Sequence, residues 1–181
     1  MNRLMISLAV CMLGGACGSS SVAINTLMPA PADVAGWSED AAQGTAGVAV
    51  ARTPAEAEAF VDGDAAPFTA HSFIAFAWQQ YTKDTYRLDL RIWQFADTAA
   101  ATAIYDDLLT DSSLYSSAAW TPEAAGDAGR IADTGTSWWI NTRKKGYYVE
   151  AKMTTNPPAA PNATGRTDAE AFVNAVLAKI P

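Results

Sequence analysis

The sequence predicts an α+β fold, an antiparallel β-sheet built from two long hairpins and packed on one face by about three α-helices. Three observations predict it. His71 to Phe95 holds two strand-like runs around the polar turn Thr82-Lys83-Asp84-Thr85. Ser137 to Arg143 and Tyr147 to Met153 repeat the arrangement around Lys144-Lys145-Gly146. The chain closes on a stripe at helical spacing, Ala169, Phe172, Val173, Val176, Leu177 and Ile180.

The first hairpin is defined by period-two alternation. Tyr86, Leu88, Leu90 and Ile92 fall on one side of the ribbon, and Arg87, Asp89 and Arg91 on the other, as successive strand side chains point to opposite faces. The preceding run is apolar on both sides. Phe73, Ala75 and Ala77 make one side and Ile74, Phe76 and Trp78 the other, which predicts an interior strand. In the second hairpin Trp138 and Ile140 share a face, as do Tyr147, Val149 and Ala151, with Tyr148, Glu150 and Lys152 opposite. Its basic tip, Arg143-Lys144-Lys145, reads as a solvated turn, with an anionic lipid or polymer as the functional alternative.

The helices carry start signals. Thr53-Pro54-Ala55-Glu56 predicts a capped helix to about Val61, because Pro fits the first helical position and Glu56 reaches back to the capping residue. Asp97 caps a second helix through Leu109, with Ala101, Ile104, Tyr105 and Leu108 facing inward. Thr167-x-x-Glu170 reads as a capping box at the head of the last one. Between these, Gly47-Val48-Ala49-Val50-Ala51 and Ile131-Ala132 read as short strands, and Thr121-Pro122-Glu123 as a short helix start. Asp111 to Ala119 and Asn156 to Gly165 read as loops, and Asp133-Thr134-Gly135-Thr136 as a turn.

The N-terminus reads as a targeting signal. Asn2-Arg3 precedes the apolar run Leu4 to Leu13, shorter than the ~20 residues a membrane-spanning helix needs. Leu13-Gly14-Gly15-Ala16-Cys17 resembles the lipobox of bacterial lipoproteins, in which the cysteine is lipidated and becomes the mature N-terminus. Gly14 stands where that motif has leucine, and Cys11 is a second candidate with bulky Val10 before it. The alternative is an ordinary secretory signal cleaved nearby. The expected organisation is a signal peptide over 1–16, a flexible tether over 17–31, and one α+β domain over 32–181.

With Cys17 first, no further cysteine follows, so the domain holds no disulfide and no thiol chemistry. Loss of Arg3 with the leader moves the formal charge from −7 to −8. An acidic domain repels phosphate backbones, so nucleic acid is not an expected partner. The expected partners are the membrane, through the N-terminal lipid, and a small molecule or another envelope protein.

Catalytic signals are weak. His71 is the single histidine, so any Ser-His-Asp arrangement must use it. No Gly-x-Ser-x-Gly elbow and no glycine-rich phosphate loop is present. Asp62-Gly63-Asp64 lacks the later ligands of a calcium loop and reads as a helix-ending turn. Neither catalytic residues, a metal site nor a cofactor are assigned. Of the six tryptophans, Trp37, Trp78, Trp93, Trp138 and Trp139 are candidates for an apolar or stacking surface, with a plug at the core edge as the plainer role for Trp37.

Trp37 in an early Gly-Trp step, Phe60-Val61-Asp62-Gly63, the long hairpin, Asp97-x-x-Ala100 with Tyr105, and Lys145-Gly146-Tyr147-Tyr148-Val149 together resemble an uncharacterised family of bacterial secreted and lipoprotein domains of unknown function. The order of elements is more distantly similar to PsbP-type domains. The resemblance spans Leu27 to Met153 and implies an extracytoplasmic α+β domain, with no catalytic residue to carry across. The reading is therefore a non-catalytic binding or accessory lipoprotein of the cell envelope or periplasm. An envelope hydrolase using converging carboxylates, or a structural subunit of an envelope complex, stands as the alternative.

Overall fold

A computed structural model describes residues 22–40, 47–61, 63–110, 119–156 and 163–181. The leader, Cys17, Asp62 and the serine-rich stretch 111–118 lie outside the described residues, as do 157–162 and the start of the expected tether. The described strands are β1 (Ser38–Glu39), β2 (Ala49–Ala51), β3 (Phe73–Lys83), β4 (Tyr86–Phe95), β5 (Trp120–Glu123), β6 (Ala128–Asp133), β7 (Ser137–Lys144) and β8 (Tyr147–Thr155). The helices are α1 (Pro54–Val61), α2 (Ala66–Thr69), α3 (Thr98–Thr110) and α4 (Ala163–Lys179), after short 3-10 turns at Ile24–Leu27 and Pro31–Asp33.

All described pairings are antiparallel, in the order β1-β3-β4-β8-β7-β6-β5, with β2 also lying on β3. Both predicted hairpins form. Their tips are tighter than expected, Asp84-Thr85 and Lys145-Gly146, and Asp84 and Lys145 each take a φ of 52°. The alternation of β4 holds through Ile92. In β3 it breaks between Phe73 and Ala75, where the register shifts. The extra residue, Ile74, turns to solvent, and Phe73 moves to the opposite face from Ala75, beside Trp93.

The helices, expected on one face, cover both. On one face α4 and the Ile24–Leu27 turn pack over Ala77, Tyr81, Leu88, Leu90, Ile92, Val149, Ala151 and Met153. On the other, α1, α2 and α3 gather around Phe76, Trp93, Phe95 and Tyr148. The strands make this possible because their second face is also apolar at one end, with Phe76, Trp93 and Tyr148 aligned across three strands.

The cap of α1 matches its sequence signal. The Glu56 N–H donates to Thr53 Oγ1, and Glu56 Oε2 accepts from the N–H groups of Arg52 and Thr53. These bonds hold the Glu56 carboxyl below its usual range, chiefly that from Arg52. Asp97 Oδ1 accepts from the Ala100 N–H at 2.8 Å, capping α3.

Three expectations are corrected. The tether is folded from Ile24 on, because Ile24, Leu27 and Met28 are buried in the α4-side core. Thr121-Pro122-Glu123 is edge strand and not helix, since pairing with β6 outweighs the local start signal and an edge tolerates proline. The Thr167 capping box is not a cap. The helix already begins at Ala163, and the Thr167 hydroxyl donates back to the Ala163 carbonyl at 3.1 Å. Gly165 lets that first turn approach β4, for a Cβ there would sit 2.9 Å from the Tyr86 ring.

The basic tip of the second hairpin also has structural work. Lys144 Nζ donates to the carbonyls of Leu177 (2.7 Å) and Ile180 (3.1 Å) at the end of α4, and Lys145 Nζ donates to that of Pro181. A cation there answers both the unpaired carbonyls and the negative end of the helix dipole. Lys144→Met is expected to cost about 1–2 kcal/mol in urea unfolding and to raise hydrogen exchange in the last turn of α4.

Tyr81 contributes to the loss of stability at alkaline pH. Its hydroxyl donates to the Pro29 carbonyl at 2.8 Å, and burial pushes the phenol far above its usual value, with Glu39 and Asp33 adding to the effect. A raised phenol means that the folded state holds the proton that the unfolded chain gives up. This contribution is whole below the unfolded value of about 10 and falls as pH rises beyond it. Stability measured by denaturant from about pH 9 to about pH 11 should decline, and Tyr81→Phe should flatten part of that decline.

Candidate functional site

The α1–α3 layer covers only one end of its face. Next to it, two cross-strand rows of side chains, some buried and some half-exposed, continue across the same face. One runs Arg91 (β4), Glu150 (β8), Asn141 (β7), Arg130 (β6). The other runs Asp89, Lys152, Trp139, Ala132, Trp120 (β5). Against the helical layer they form a cleft of about 120 Å³, with Asp89, Arg91, Asn141, Glu150 and Lys152 in the floor, Phe68 and Asp64 on the helix side, and Trp139 at the far side.

The floor is tied together. Arg91 Nε donates to Asp89 Oδ1 at 2.9 Å, and Gln80 Nε2 donates to Asp89 Oδ2 at 2.9 Å. Glu150, buried to 9% exposure, accepts from Trp93 Nε1 at 2.9 Å. Lys152 Nζ lies 5.0 Å from the centre of the Trp139 ring. Asn141 is 2% exposed, and its amide nitrogen meets no hydrogen-bond acceptor among the described residues. Trp139 and Lys152 also border a shallower groove of about 360 Å³ lined by Thr134, Thr136, Ser137, Thr154 and Thr155.

The tryptophans singled out by sequence do not share one surface. Trp37 is buried edge-on to Phe172 and donates to Asp168 at 3.1 Å. Trp93 is fully buried, stacked on Phe68 at 4.0 Å. Trp138 faces α4, under Arg166. Trp78 lies on the cleft face beside Phe60, with Arg91 6.0 Å from its ring centre. Of the five, Trp139 alone borders the cleft. His71 pairs with Asp107 on α3 at 3.1 Å. The cleft residues Asp89, Arg91, Glu150 and Lys152 were visible in the sequence only as the polar side of alternating strands. Asn141 and Arg130 carried no signal.

Among the described residues no helix is long and apolar enough to cross a membrane. No family model matches the chain, and no curated protein matches it. Among solved structures it is similar to the extracellular domain of PknH from Mycobacterium tuberculosis, at 10% identity and a TM-score of 0.52, over 85% of this chain and 94% of that one. At that identity the likeness is one of fold.

Proposed function

We propose that this is a lipid-anchored, extracytoplasmic domain that binds a small polar ligand in the cleft of its α3-side face and does not transform it. The observation that carries the reading is the cleft itself, a concave stretch of sheet where acids and bases of both signs sit between the aromatic walls Phe68 and Trp139. Such a lining suits a compact ligand with both donors and acceptors and a flat apolar side. The extracytoplasmic placement rests on the leader and Cys17, and a fold shared with a kinase's extracellular domain accords with it.

The hydrolase alternative draws on one fact, that Asp89 and Glu150 line the same cleft. Acid catalysis needs a carboxyl oxygen able to carry and give up a proton. Both Asp89 oxygens already accept hydrogen bonds, and Glu150 takes the Trp93 N–H, which favours a binding floor over a catalytic pair.

Two experiments test the reading. Cys17→Ala should abolish the lipid mass on the protein and leave the leader uncleaved; unchanged processing defeats the anchor. Native mass spectrometry of protein taken from its own envelope should show an added mass that Trp139→Ala and Arg91→Gln lose. A bare mass in the wild type, or an adduct indifferent to both changes, defeats the cleft.

A further inference from the structure

We propose that Arg130 and Arg143, with Asn141, form a second site, for a small oxyanion of the phosphate or sulfate class, beneath Tyr105 of α3. Arg130 is 3% exposed, yet none of its three guanidinium nitrogens meets a hydrogen-bond acceptor among the described residues. Its partners are two ring faces, Tyr105 at 4.3 Å and Trp120 at 5.0 Å from the guanidinium carbon. Ring faces attract the cation but supply no lone pair to its N–H groups. Its five N–H groups stay unanswered among the described residues. A buried charge without a counter-charge is costly, and no carboxylate lies within ion-pair distance of Arg130 among the described residues. Arg166 shows the contrast, since it bonds to both Glu123 and Glu170.

The neighbouring groups are donors too. Asn141 stands directly across from Arg130. Arg143 stands two places further along β7, opposite the small Ala128, and its Nε is likewise without an acceptor. Burial pushes the Tyr105 phenol up, while the charges of both arginines oppose the push, which puts both guanidinium groups near that ring. Of the carboxylates about the site, Asp106 also acts on the Tyr105 phenol, and Asp127 lies 4.0 Å from Arg143 Nη1 and already accepts the Lys145 N–H at 2.7 Å. Arg143 is the half-open member, at 20% side-chain exposure, and gives an anion its way in. Two arginine forks and an amide, all donating, match the oxygens of one tetrahedral anion. The site shares Asn141 with the cleft floor, but Arg130 and Arg143 lie outside the cleft lining, and the anion does not depend on the ligand proposed there.

Calorimetric titration with inorganic phosphate at matched ionic strength, with chloride as control, tests it. Wild-type protein should give a saturable heat, Arg130→Met should weaken it about tenfold or more, and Arg143→Gln should weaken it to a lesser degree. Arg130→Met should also melt above wild type in phosphate-free buffer, because it removes an unanswered buried charge, and its melting should no longer respond to phosphate beyond the general salt effect. Flotation with phosphatidic acid vesicles separates the sources. Arg130-dependent binding of vesicles by protein lacking the leader assigns the site to a lipid headgroup, and Arg130-dependent binding of free phosphate alone assigns it to a soluble anion. No saturable binding of either, an Arg130→Met variant that binds like wild type, or one that melts below wild type without phosphate overturns the proposal and leaves Arg130 a packing residue.

Discussion

Phe172→Ala is expected to remove about 3–5 kcal/mol of folding stability, out of the roughly 5–15 kcal/mol typical of a native domain. Phe172 is fully buried where α4 meets the sheet. Its ring meets Trp37 edge-on at 5.2 Å and Tyr81 at 4.6 Å. Those two carry the chain's N-terminal part and β3, so the deletion opens a cavity among three segments far apart in sequence, which relaxation cannot easily refill. The loss should appear as a fall in melting temperature of about 10 °C or more, with an unchanged urea m-value. A fall of only a degree or two would mean that α4 does not depend on this contact.

Trp93→Ala is the second large effect, also about 3–5 kcal/mol. Trp93 joins the aromatic core under α2 to the floor of the cleft. One ring face stacks on Phe68 at 4.0 Å and 8°, Phe76 lies at 4.3 Å, and its N–H holds Glu150. Trp93→Phe separates the parts. It keeps most of the ring and removes the donor to a shielded carboxylate, for an expected loss of about 1.5–3 kcal/mol. Combining Trp93→Phe with Glu150→Gln should recover part of that loss, a coupling of about 1–2 kcal/mol in a double-mutant cycle. Strict additivity would show that the bond contributes nothing beyond its geometry.

The hairpins were legible because alternation is a local signal, written out in Tyr86 to Ile92 and in Tyr147 to Ala151. The caps of α1 and α3 were legible for the same reason, since each closes within a few residues. What the sequence did not disclose depends on distant partners. The second covered face needed Phe76, Trp93 and Tyr148 to line up across strands brought together only by folding. The Thr121-Pro122-Glu123 letters favour a helix until β6 pairs with them. The cleft needed the register of β4 on β8, a pairing that spans everything from α3 to β7. Asp89, Arg91, Glu150 and Lys152 looked like a solvated side because nothing local says that they meet.

The ends of the sheet carry a last consequence. One margin is split between β1 and β2, of two and three residues, and the other is β5, four residues with Pro122 inside it and Glu123 bonded to Arg166. Among the described residues neither margin presents a long run of free amides, which leaves neighbouring copies little template on which to extend the ladder. Molecules crowded side by side at high concentration can then jostle without zipping into fibrils.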